Sequence, residues 1–150
     1  MNLGGMLQNH VLLTAIAGWF LAQLLKVPVN FLREHTWNWA LFFATGGMPS
    51  SHSALVTSTA MGAGLHYGFD SPIFAVAVAL AMVVVYDATG VRRQAGIQAQ
   101  TINILVEELL QGHPISEQHL REVLGHTPLE ALGGVLLGLV TATVLWLWWR

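Results

Sequence analysis

The chain has no cysteine among its 150 residues, which excludes a disulfide framework, thiolate chemistry and cysteine-ligated zinc together. It is nearly as poor in charge. Six Lys and Arg and eight Asp and Glu make up 9% of the sequence, where a soluble domain carries roughly a quarter. So few charges cannot cover a water-exposed surface, and the net charge of −2 offers no broad basic field for nucleic acid, which is set aside as a partner. No tandem repeat and no low-complexity tract is present. What the chain has in abundance is apolar surface: 54% of residues are hydrophobic and the mean hydropathy is +0.57. One small core cannot bury that much, and the bilayer takes the surplus. The length suits a single domain over residues 1–150.

Residues 1–25, 35–69, 71–86 and 131–149 contain no Lys, Arg, Asp or Glu. These gaps predict an all-α, polytopic membrane helix bundle of about four transmembrane helices, at about 8–25, 53–68, 72–86 and 132–149, plus interfacial or re-entrant helices. At about 1.5 Å per residue such spans reach only roughly 22–27 Å, which implies a thin or locally pinched protein. Met1–Gln8 has no basic segment and no small-x-small cleavage site follows the first apolar run. The first span therefore reads as retained rather than as a signal peptide. Between spans, Thr36–Thr45 is too short to cross before Gly46-Gly47-Met48-Pro49, and its Trp37 and Trp39 suit the membrane interface. Gln94–Gln111 reads as an amphipathic surface helix with Ile102, Leu105, Val106, Leu109 and Leu110 on one stripe and Asn103, Glu107, Glu108 and Gln111 opposite. Gly112–Gly125 reads as aqueous.

This topology gathers Lys26, His52, Asp87, Arg92, Arg93 and His126 on one face. Five of the six basic residues, Lys26, Arg33, Arg92, Arg93 and Arg121, share it, so the positive-inside rule makes that face cytoplasmic. Cations collected in a partly desolvated site at a lipid surface call for an anion, and a lipid phosphate is the commonest there. Gly46-Gly47-Met48-Pro49-Ser50-Ser51-His52 adds flexible backbone leading into a helix start, where unpaired N–H groups and the helix dipole favour an anion.

Three motif regions then resemble the divergent branch of the type 2 phosphatidic acid phosphatase superfamily, which is related to acid phosphatases and vanadium-dependent haloperoxidases. Lys26 and Arg33 have the K-x6-R spacing, Pro49-Ser50-Ser51-His52 stands for P-S-G-H, and His126-x3-Glu130 stands for the end of S-R-x5-H-x3-D. The runs Tyr86–Gln100 and Arg121–Gly138 are similar to the divergent branch specifically, and the likeness covers the chain from about Leu12 onward. Four positions depart from the pattern: Glu34 replaces Pro, Ser51 replaces Gly, Glu130 replaces Asp, and no Ser-Arg precedes His126 at the required distance.

The resemblance implies a membrane-embedded lipid phosphate phosphatase that hydrolyses a phosphomonoester or diphosphate without a metal or other cofactor. In it His126 attacks phosphorus and forms a phosphohistidine, Glu130 fixes its tautomer, and His52 protonates the leaving oxygen. Lys26, Arg33, Ser50, Ser51 and an arginine from Arg92, Arg93 or Arg121 bind the phosphate, with the Arg92-Arg93 pair favoured, and Asp87 orients a histidine or holds an arginine. The partners implied are the lipid substrate and membrane lipids, with a homo-oligomer compatible. Bland readings stand beside these. Thr127-Pro128-Leu129-Glu130 also spells a capping box, Pro49-Ser50-Ser51-His52 a capped helix start, and Lys26 with Arg33 snorkelling cations. Two other functions fit the same residues: a catalytically inactive phospholipid-binding or assembly subunit, and a metal-dependent hydrolase using His52, Asp87, His126 and Glu130. A carrier or channel fits less well, because the charges sit at span ends rather than at the midplane. His10, His35, His66, His113 and His119 read as surface or packing residues, Trp146, Trp148 and Trp149 as an interfacial belt, and the glycines of 62–64 and 133–138 as sites of close helix contact.

Overall fold

Four of the helices begin where a short polar side chain takes up a backbone N–H that the first turn leaves without an acceptor. Asn9 accepts from Leu12 at 3.1 Å, Ser50 from Ser53 at 3.3 Å, Ser71 from Phe74 at 3.3 Å and Thr127 from Glu130 at 3.3 Å. Pro72 and Pro128 follow two of these caps at the first helical position, where the missing N–H costs nothing. The computed structural model describes residues 3–43, 46–109 and 125–150. In chain order they form α1 (His10–Glu34), α2 (Ser51–Tyr67), α3 (Pro72–Thr89), α4 (Val91–Leu109) and α5 (Pro128–Trp149), with short 3-10 turns at Leu3–Gly5 and Trp39–Phe42. No strand occurs among the described residues.

Three stretches, His10–Glu34, Pro72–Val106 and Pro128–Trp149, are long and apolar enough to cross a membrane. In the first, the helix continues past Leu25, where the expected span ends. α1 runs on through Lys26 and an internal Pro28 to Glu34, so its 25 residues reach about 37 Å at 1.5 Å per residue. The charge at Lys26 ends the hydropathy run but not the helix, because Val27 and Lys26 are both buried against the bundle. Asp87 likewise falls inside α3 rather than after the span.

α2, with 17 residues, is the shortest of the five and the most enclosed. It packs against α1, α3 and α5. Its buried face is made of small residues, Ser51, Ser53, Ala54, Val56, Thr57, Ser58, Ala60, Gly62, Ala63 and Gly64. In a bilayer there is little hydrophobic gain in bringing helices together, so close van der Waals packing between small side chains has to do it. The Ser58 hydroxyl donates to the Gly138 carbonyl at 3.3 Å. A Cβ on Gly138 would sit 2.8 Å from the Ala54 carbonyl oxygen, and one on Gly134 would meet the Ser50 carbonyl and stand 2.9 Å from Ser53 Cβ. The close contact expected of these two glycines is thus present, and Gly18 of α1 makes an equivalent one against Ser58.

These pairings set the direction of each helix. Ser50 and Ser53 lie beside Gly134, Thr57 and Ser58 beside Gly138, and His66 beside Trp149, so α2 and α5 run parallel. Gly18 against Ser58 and Thr14 against Gly62 make α1 antiparallel to α2. At the far end His10 meets His66 edge to face at 5.2 Å and Trp149 at 4.5 Å. α4 follows α3 after Gly90 and starts at Val91, earlier than expected. Its Ile97, Ile102, Ile104, Leu105 and Val106 are exposed, as an interfacial helix requires. Asn103, assigned above to the polar face opposite the apolar stripe, is buried with Ala99. Leu110, Gln111 and the Gly112–Leu124 part of the expected aqueous stretch lie outside the described residues, as does Arg121.

Gly134→Val should lower the unfolding midpoint of the detergent-purified protein by several degrees, since overpacking costs about 1–3 kcal/mol. Gly133→Ala should change it little, because its Cβ meets first the flexible end of Met48, at 3.2 Å. Circular dichroism melting of the two variants beside the parent checks both.

Candidate active site

The sequence Thr127-Pro128-Leu129-Glu130 makes the first turn of α5, and its capping box is complete. The Thr127 hydroxyl accepts from the Glu130 N–H, and Glu130 Oε2 accepts from the Thr127 N–H at 3.0 Å. The same Oε2 lies 3.3 Å from Nδ1 of His126, whose side chain is 4% exposed. The capping reading and the histidine-orienting reading of Glu130 therefore describe one arrangement. An ionised carboxylate can only accept, so in the neutral imidazole this contact places the proton on Nδ1 and leaves the lone pair on Nε2.

The backbone around His126 is clamped from two sides. Its N–H donates to the Ala88 carbonyl at the end of α3 at 2.8 Å. The preceding Gly125 adopts φ +88, and a Cβ there would run into the backbone of Arg92 and Arg93. Only glycine combines that conformation with that approach. Sequence reasoning passed over both Gly125 and Ala88. A glycine next to a candidate nucleophile was the available signal for the first, and a backbone carbonyl leaves none for the second.

α2 delivers His52 to the same place. The Ser50 N–H donates to the Glu130 carbonyl at 2.9 Å, which locks the start of α2 onto the first turn of α5. The rings of His52 and His126 then stand with centroids 6.5 Å apart, tilted by 52°. Ser50 is fully buried, and its hydroxyl is 3.1 Å from the Ser53 hydroxyl as well as capping the helix. The same residue that the sequence assigns to phosphate binding thus also holds the start of α2. Ser51 is buried at the first helical position, and the N–H groups of Ser51 and His52 have no acceptor within the helix.

The cations divide into near and far. Lys26 is 1% exposed, so it is not a snorkelling cation; the side chain passes 4.0 Å from where a Cβ on Gly47 would lie. It interacts electrostatically with Glu130 and with His52. Arg92 also acts on His52, and its Nε donates to Asp87 Oδ2 at 2.6 Å. Asp87 thus holds an arginine rather than a histidine. Arg93 is exposed, with its backbone under Gly125. Arg33 is exposed in the last turn of α1, two helical turns beyond Lys26. Among the described residues no three His, Asp or Glu side chains come together as metal ligands would, which leaves the metal-hydrolase alternative without a ligand set there.

Thr127→Ala should cost about 1 kcal/mol in the unfolding free energy through loss of the cap. Glu130→Ala should in addition shift neutral His126 from the Nδ1-protonated toward the Nε2-protonated tautomer, readable in 15N-histidine NMR spectra, whereas Thr127→Ala should leave the tautomer unchanged.

Comparison with known proteins agrees with this architecture. The chain is 40% identical to an uncharacterized membrane protein, YuiD, of Bacillus subtilis (strain 168), over 93% of its own length and 96% of that protein's. No solved structure matches it. The model of the Divergent PAP2 family matches residues 7–141, and the chain belongs to that family.

Proposed function

We propose that this membrane protein is a lipid phosphate phosphatase that works without a metal, through a phosphohistidine. The observation that carries the reading is the His126–Glu130 contact at 3.3 Å, facing a second histidine at 6.5 Å between ring centroids, in the field of Lys26 and Arg92. The separation exceeds a direct hydrogen bond between the rings and suits a phosphoryl group placed between nucleophile and acid. Nε2 of His126 attacks phosphorus and forms the P–N bond as the P–O bond to the lipid breaks, and His52 gives its proton to the departing oxygen. Water then attacks the phosphohistidine with His52 as base, the P–N bond breaks, and inorganic phosphate leaves. Lys26, Arg92, Ser51 and the first-turn N–H groups of α2 bind the equatorial oxygens and oppose the charge of the transition state. Arg33 and Arg93, exposed on the same face, draw the anion toward it.

Purified protein in detergent with EDTA should release phosphate from a lipid phosphate monoester or an isoprenoid diphosphate. His52→Ala and His126→Ala should each abolish the release, and vanadate should inhibit it. Glu130→Gln should lower kcat by about 10²–10⁴-fold, as when a histidine loses its orienting carboxylate. A requirement for added divalent metal would overturn the mechanism. Lipid binding without turnover over a broad panel would mark an inactive binding subunit.

The cations Lys26, Arg33, Arg92 and Arg93 on the site face also make that face the cytoplasmic one in this reading. Because the parent chain lacks cysteine, single-cysteine probes report its orientation directly. In intact cells a membrane-impermeant maleimide should label Asp70→Cys and spare Gln94→Cys until the membrane is permeabilised; the reverse pattern would overturn the orientation.

A further inference from the structure

A groove of about 1010 Å³ runs between α2, α3 and α5. Its walls are aliphatic: Ala60 and Met61 come from α2, Val78 and Ala81 from α3, and Val135 and Leu139 from α5. Polar side chains enter it as Thr57 on α2 and, at the other extreme of α3, as Asp87 and Thr89. We propose that this groove holds the hydrocarbon chain of a phosphorylated lipid whose phosphate sits at the His52–His126 pair. The proposal rests on the phosphatase reading for the identity of the head group; the groove itself is a separate observation.

The first argument is continuity. Asp87 both lines the groove and grips Arg92 at 2.6 Å, and the next residue, Ala88, accepts the His126 N–H at 2.8 Å. One turn of α3 is therefore shared by the groove's polar end, the phosphate-seeking arginine and the backbone of the candidate nucleophile. The second is charge. Among the described residues that line the groove, the one ionic side chain is Asp87, at the end where Arg92 lies, so an amphiphile with an anionic head is drawn to lie with its head at that end. The third is length. From Phe74 to Asp87 the groove follows fourteen residues of α3, whose thirteen rises of about 1.5 Å reach about 20 Å. At the far end Phe69 and Phe74 meet edge to face at 5.2 Å and form a floor. The fourth is access. α3 is the least buried of the membrane-crossing helices, and Met82 and Val83 on the groove's rim are exposed. A chain already in the bilayer enters sideways without meeting water.

The test compares a long-chain lipid phosphate with a short, water-soluble phosphate monoester. Ala81→Trp fills the groove, whereas Val76→Trp places the same side chain at an exposed position of α3 that does not line it. Ala81→Trp should raise KM for the long-chain substrate by about tenfold, the loss of roughly two buried methylenes, and leave the short one unchanged. Val76→Trp should affect neither. Equal kinetics of Ala81→Trp and parent on the long chain would overturn the proposal. A second readout needs no turnover. In nanodiscs, a lipid phosphate with a diazirine at its chain terminus should label the Met61 and Phe74 regions, and excess unlabelled lipid phosphate, but not the corresponding neutral alcohol, should compete it away. Labelling spread over all exposed faces, or crosslinks between two copies through α3 with the groove closed to lipid, would overturn the proposal. If the parent releases phosphate from neither substrate, the phosphatase reading falls, and the labelling experiment alone decides the groove.

Discussion

The close parallel approach of α2 and α5 is the constraint on which the rest depends. Two parallel helices put their positive ends together, an arrangement that electrostatics opposes unless something negative sits at the junction. Here the Glu130 carboxylate supplies part of it, and the Ser50 N–H bond to the Glu130 carbonyl at 2.9 Å fixes the two ends in register. Gly134 and Gly138 allow this approach, since a Cβ at either would collide with the α2 backbone. Without that contact His52 and His126 would belong to unrelated helix ends. With it, they share a site whose remaining positive potential is suited to an anion.

Lys26 extends the same logic into the membrane part of the bundle. A cation with 1% exposure on a crossing helix is costly, and such residues face the protein interior and interact with opposite charge. Glu130 is the carboxylate that acts on it, so one side chain caps α5, orients His126 and balances Lys26. A bound phosphate would take over the last of these tasks. That would couple the charge state of the site to its occupancy, while the Glu130 interaction offsets part of the cost of holding Lys26 away from water.

Local patterns in the sequence were a good guide wherever a side chain acts on its own turn. The caps at Ser50 and Thr127, the His126-x3-Glu130 relation and the exposed apolar stripe of α4 all follow from spacing along one helix. The continuation of α1 beyond its apolar run was not legible, because hydropathy registers the charge on Lys26 and not the packing that carries the helix past it to Glu34. The choice among the arginines was open for a similar reason. Arg92 is distinguished by Asp87, five residues before it and across the α3–α4 junction, whose geometry no periodicity describes. The contact of Gly18 with Ser58 joins remote segments and has no local signature at all.

The departure from the superfamily pattern at Glu130 has a structural account of its own. A carboxylate at the third helical position reaches back to the N-cap N–H only if its side chain is long enough, which is why capping boxes use Glu or Gln there. Glu130 Oε2 spans to the Thr127 N–H at 3.0 Å and to His126 Nδ1 at 3.3 Å together. Aspartate, one methylene shorter, is the residue the pattern calls for at this spacing, but it falls short of the Glu/Gln length that a capping box uses. The substitution therefore keeps the histidine's partner while adding a cap to a helix that starts at the site itself. In a chain whose charged residues are so few, that economy of one carboxylate serving three contacts is what the low charge content requires.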